Sequence, residues 1–174
     1  MRARAGPKAG EDDNMKKTEI GLLIDVIDQA YNKRAWHGTN LRGSIRGLST
    51  EQAVWRPGKG RHNIWEIALH AAYWKYTIRR RLLGEKRGSF PLKGSNFFVR
   101  TSANGSSDWN RDARLLDDVH AKMREAIASL PASRLHKNVQ GSKWTYAQLV
   151  YGIASHDLYH AGQIQLLKRL FRHR

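Results

Sequence analysis

The chain is 174 residues long, enough to bury one ordinary core, and it has no cysteine, which excludes disulfides, thiolate metal sites and a cysteine nucleophile. Lysine and arginine outnumber the acids 31 to 15, a net charge of +16 with a pI near 10.6, so nucleic acid, anionic lipid and acidic small molecules are all attracted. No run of about 18 apolar residues exists to span a bilayer, and Met1–Asn14 offers no apolar stretch of the secretory kind, so a cytoplasmic location is expected.

Residues 1–14 have no apolar side chain larger than alanine after Met1 and read as a disordered tail, with Met15 an equally good start for a folded domain over 15–174. Ile20, Leu23, Ile24, Ile27 and Tyr31 recur at helical spacing and predict a first amphipathic helix. The pattern breaks around Arg34–Thr39, and Leu41, Ile45 and Leu48 then suggest a short helical continuation. Trp55 to Gly60 reads as a loop from its Pro and Gly content. A second long helix opens at the cap Asn63, with Glu66 three residues on as its capping partner, and ends at Gly84. Its stripe is Ile67, Ala71, Trp74, Ile78 and Leu82.

Residues 84–107 are rich in Gly, Ser and Asn, a connection long enough to be functional or a crossover. From Lys75 to Arg100 there are eight basic residues against one acid, Glu85. A third helix is expected from about Asp108 to Leu130, stopped by Pro131. A fourth starts at Thr145, with Gln148 as capping partner, and carries Leu149, Ile153, Ile164 and Leu167 inward to about Leu170. Four long amphipathic helices and no alternating strand pattern predict an all-α fold, a four-helix bundle whose long third connection lets helices two and three run parallel.

Three histidines lie on those inward stripes. His70 is three residues after Ile67 and four before Trp74, and His156 and His160 are one turn apart between Ile153 and Ile164. A pair at i, i+4 sets its Cβ atoms roughly 6 Å apart, close enough to share one ion. Unpartnered buried imidazoles would each cost about 1–3 kcal/mol, and the sequence offers few inward carboxylates to satisfy them. A divalent ion would satisfy all three and leave a fourth position open. Separate core histidines bonded to backbone or water are the alternative that spacing leaves standing.

The runs HNIWEIALHAAYW (His62 to Trp74) and SHDLYHAGQIQLL (Ser155 to Leu167) resemble the two signature segments of the DinB-like, or YfiT-like, metalloenzyme superfamily. The similarity extends from about Lys16 to Leu170 and includes the stretch from Ala35 to His62. The resemblance implies an up-down-down-up four-helix bundle and a divalent ion, zinc or nickel, held by His70, His156 and His160. It also implies chemistry of the family's characterised members, transferases and isomerases that use bacillithiol, mycothiol or glutathione. A three-histidine site with an open position is catalytic in type: it can acidify water for hydrolysis or bind a thiol as thiolate. A low-molecular-weight thiol and a small, anionic substrate are the expected partners, with a homodimer plausible by family habit.

Other residues are weighed beside the triad. Glu66, four before His70, either accepts its second N–H or merely caps the helix. Gln163 either lines the pocket or sits on the helix flank. His37, at the first break, is a candidate general base and more simply a loop residue. Asp157 reads as a surface charge, and His120, His62, His136 and His173 read as solvent-facing. The six tryptophans read as core and loop anchors. Arg79, Arg80 and Lys86 lie toward the far end of the helix that bears His70. Two other functions compete: nucleic-acid binding, which the charge favours although no DNA- or RNA-binding motif is visible and the cations are scattered, and a non-catalytic bundle in which the metal only stabilises the fold.

Overall fold

The computed structural model describes residues 18–88 and 90–174. The expected tail over 1–14 and the alternative start at Met15 lie outside them. All regular structure among the described residues is helical, and the nearest approach to a strand is one antiparallel bridge between Asn138 and Thr145. Five α-helices and a 3-10 turn follow one another before the last helix: α1 (Glu19–Tyr31), α2 (Leu41–Ser44), α3 (Thr50–Val54), α4 (Ile64–Leu83), α5 (Ser106–Ala128), the turn Ala132–Arg134, and α6 (Tyr146–Arg172).

The caps follow the sequence signals. The Asn63 side chain accepts from the Glu66 N–H, and Thr145 and Gln148 form a reciprocal capping box at the start of α6. Gly84 closes α4 at φ 71°, a left-handed conformation that glycine adopts without a Cβ clash. One short helix, α3, escapes a reading based on apolar period. Its five residues are too few to show a stripe, yet Ser49 and Gln52 cap it reciprocally. The third long helix begins at Ser106 and ends at Ala128, so Leu130 is buried just beyond it.

Each long helix rests on two others: α1 on α5 and α6, and α4 on α5 and α6. One apolar cluster gathers Leu41, Ile45, Trp65, Leu69, Leu116 and Ile164; the other gathers Ile24, Ile27, Met123, Ile127, Val150 and Ile153. Burying such side chains stabilises each by about 1.5–3 kcal/mol against the entropy of ordering the chain. No described helix is long and apolar enough to cross a membrane.

Charged groups enter this interior, and two sequence expectations are corrected here. Asp157 is fully buried and ion-paired with Lys75, itself fully buried, rather than a surface charge. His120 is also buried, its ring stacked on Tyr31 at 3.7 Å, rather than solvent-facing. In both cases the residue faces a neighbouring helix, which the period of its own helix does not report. Trp65 and Trp109 are core residues as expected, whereas Trp36 stands almost wholly in solvent and anchors nothing.

The long connection after α4 is stitched down at its far end. The Arg100 N–H donates to Glu66 Oε1 (3.1 Å), Arg100 Nε donates to Asp112 Oδ2 (2.8 Å), and the Arg100 carbonyl accepts from Asn63 Nδ2 (2.9 Å). Those bonds fix Asn96 to Val99 over the start of α4, where the histidines converge.

Candidate metal centre

His70 projects from α4, and His156 and His160 from successive turns of α6. Each offers one ring nitrogen, and these three atoms lie within 4.8 Å of one another, a group of the kind that can hold a metal ion. His156 Nε2 is 3.1 Å from His70 Nε2 and 3.1 Å from His160 Nε2. Nitrogens on two corners of a tetrahedron, each about 2.0–2.1 Å from zinc, stand about 3.3 Å apart, so the spacing fits a shared ion.

The outer nitrogens set the tautomers. His70 Nδ1–H donates to the Asn96 carbonyl (3.0 Å), and His160 Nδ1–H donates to Gln163 Oε1 (2.7 Å). Both rings therefore turn a lone pair, at Nε2, toward His156. A single N–H on His156 Nε2 cannot serve two lone pairs fully, so without a cation at least one stays poorly satisfied. The donor set fits a divalent ion, with backbone and amide acceptors orienting two of the three ligands in the manner usual for metal-bound histidine. His156 Nδ1 is buried and has no partner among the described residues.

The surroundings keep the imidazoles neutral. Burial, reinforced by the charge of His160, pushes the His70 pKa down to about 4, against the opposing effect of the Asn96 carbonyl. Burial and the neighbouring charges of His160, His70 and Lys75 take His156 to about 3. Burial also lowers His160, with Gln163 opposing it. Neutral imidazole is the form that ligates, so no proton has to leave before an ion enters at neutral pH.

The cluster opens on a cavity of about 640 Å³ whose walls include Arg61, His62, Phe97, Tyr159 and Gln163. Phe97 lies between two histidines, its ring stacked on His62 at 3.7 Å and on His70 at 4.1 Å. His62 is exposed, as expected, yet it walls this cavity and its Nδ1 sits 3.0 Å from Glu66 Oε2.

The remaining candidates separate. Gln163 is beside the cluster and bonded to it. Glu66 is close but does not reach His70, whose outer nitrogen is taken by Asn96; its carboxylate binds Arg56, His62 and the Arg100 N–H instead. Burial raises its pKa, but those partners more than offset this and leave it lowered, hence ionised. Its backbone is the half of the capping expectation that holds. His37 is exposed in its loop and lines a separate surface hollow with Leu158 and Gly162. His136 and His173 are exposed as expected.

Asn96 and Phe97 escaped the sequence reading. The one local signal is chemical: asparagine tolerates φ 66°, the left-handed turn that aims the Asn96 carbonyl at His70. Asn96 Oδ1 also accepts from Trp74 Nε1 at 3.1 Å.

The fold and the cluster together define an all-helical protein with a three-histidine group of metal-ligand type. The DinB superfamily model matches residues 33–164, and the chain belongs to that superfamily. Searches of the curated proteins and of the solved structures return no significant match.

Proposed function

We propose that His70, His156 and His160 bind one divalent ion, zinc or nickel, leaving a position open to the cavity, and that the protein is a metal-dependent enzyme, a thiol-dependent S-transferase or a hydrolase. The observation that carries this reading is the convergence of three neutral imidazoles, with two Nδ1–H groups already held by Asn96 and Gln163. Such an ion supplies Lewis acidity and lowers the pKa of a bound water or thiol.

The chain's own residues do the rest. Asn96 and Gln163 hold protons at the outer nitrogens of His70 and His160 and so keep both Nε2 lone pairs inward. Phe97 covers one side of His70 and limits water there. Arg61, at the cavity wall, offers a cation to the small anionic substrate. We also place the four long helices in an up-down-down-up bundle with residues 84–105 as its crossover, an arrangement supported by the packing of α1 and α4 each on both α5 and α6.

Metal analysis of protein purified without chelators tests the site. About one equivalent of ion per chain is expected, and His156→Ala should abolish it while the helical signal persists. Full metal retention in that variant ends this reading. Turnover is tested by supplying the loaded protein with bacillithiol, mycothiol or glutathione and an electrophilic acceptor; hydrolysis without thiol would select the second activity.

A further inference from the structure

The most basic stretch of the chain folds into a second cavity, separate from the histidine cluster. The C-terminal half of α4 and the connection that follows enclose about 410 Å³. Arg80, Arg81, Arg87 and Lys93 line it, and among the described residues no Asp or Glu does. Glu85, the one acid nearby in sequence, is committed to Arg79 through two bonds of 2.7 and 2.9 Å. Among the described residues, none of the four lining cations has a carboxylate within ion-pair distance. Arg80 donates through Nη1 to the Glu85 carbonyl, and its Nε is buried with no partner.

Four cations around one small hollow repel one another, and among the described residues none has a carboxylate as counter-charge. Guanidinium forks match phosphate oxygens in pairs. The opposite character is also present: Tyr76 and Phe90 line the same hollow, their rings 5.3 Å apart. Tyr76 is buried and Phe90 half-buried, so together they give the hollow an apolar wall against which a ring can pack, and the volume suits a small molecule.

We propose that this cavity binds an organic phosphate of mononucleotide size, its phosphate held by Arg81, Arg87 and Lys93 and its planar ring against Tyr76 and Phe90. The hollow is a separate cavity from the one at the histidine cluster, since the two share no lining residue, although Trp74 in its wall donates to Asn96 Oδ1 beside that cluster. Trp74, one of six tryptophans, lies in its wall.

Titration of the full chain with AMP, adenosine and inorganic phosphate, read by calorimetry, tests it. AMP should bind at one equivalent and at least tenfold more tightly than either fragment. Arg81→Ala/Arg87→Ala, and separately Lys93→Glu, should each weaken AMP at least tenfold with the melting temperature kept. His156→Ala should leave AMP binding unchanged, which separates this site from phosphate caught at a metal ion. Equal affinity in wild type and the arginine variant, or loss of binding only in His156→Ala, overturns the proposal. A single-stranded oligonucleotide bound a hundredfold more tightly than AMP, with steep salt dependence, would assign the cavity to nucleic acid and overturn it as well.

Discussion

Lys75 and Asp157 form an ion pair with neither side chain in contact with solvent, and they join the two helices that supply the histidines. Asp157 directly follows His156, and Lys75 lies five residues after His70. The Lys75 ammonium also sits 4.7 Å from the centre of the Tyr31 ring. Burial lowers the Lys75 pKa while Asp157 opposes the change, and Asp157 Oδ1 has no protein partner of its own. A pair this dry is weak as a source of stability, because desolvating two ions offsets most of their attraction.

Breaking the pair on one side should therefore be worse than removing it. Lys75→Met leaves a buried carboxylate without its cation and should cost about 3–5 kcal/mol in urea unfolding. The double variant Lys75→Met/Asp157→Leu should recover most of that loss. Equal destabilisation of the two variants would show that the pair contributes more than its desolvation removes.

His120 should make the protein acid-sensitive. Burial, with Lys75 adding to it, holds its folded pKa near 3, below the ordinary 6.5 of the unfolded chain. Between those values the unfolded state binds more protons, so stability rises with pH up to about 6.5 and falls as pH drops toward 3. His120 Nδ1 is also buried without a partner among the described residues, and its ring stacks on Tyr31. His120→Phe keeps an aromatic ring there and removes both costs. It should gain about 1 kcal/mol at pH 7.5 and about 1–2 kcal/mol more at pH 5, by urea unfolding at the two pH values.

Asn96 acts through its backbone. Its carbonyl orients His70, and it does so from a left-handed conformation. Asn96→Gly retains that geometry and should leave metal affinity within a few-fold. Asn96→Val opposes positive φ and should weaken the metal by about 10–100-fold in chelator competition. Similar affinities for the two variants would dissociate the turn from the site.

Gln163 acts through its side chain. Gln163→Ala leaves the His160 Nδ1–H without its acceptor at 2.7 Å and should lower metal affinity by about 10–100-fold. Gln163→Glu supplies a stronger acceptor and should restore or tighten binding.

Metal affinity should also be nearly independent of pH from 8 down to 6. The folded pKa values of His70 and His156, about 4 and about 3, mean that protons compete for these nitrogens only in more acid solution. A steep loss of metal already at pH 6.5 would show imidazoles of ordinary basicity.

The four long helices, the caps of α4 and α6 and the inward placement of three histidines were legible in the residues alone. Those features are local: a 3.6-residue period reports which face of a helix is apolar, and Asn63, Gly84 and Thr145 act on backbone within one turn. His70, His156 and His160 were legible because they sit among apolar residues on their own helices. Tertiary structure alone decided what meets across helices. The periods of α4, α5 and α6 could not show that Lys75 waits for Asp157, or Tyr31 for His120, because burying a charge or an imidazole depends on a partner far away in the chain. Asn96 and Phe97 belong to an irregular connection with no period to read; their place over His70 comes from the long-range bonds of Arg100 to Glu66, Asp112 and Asn63.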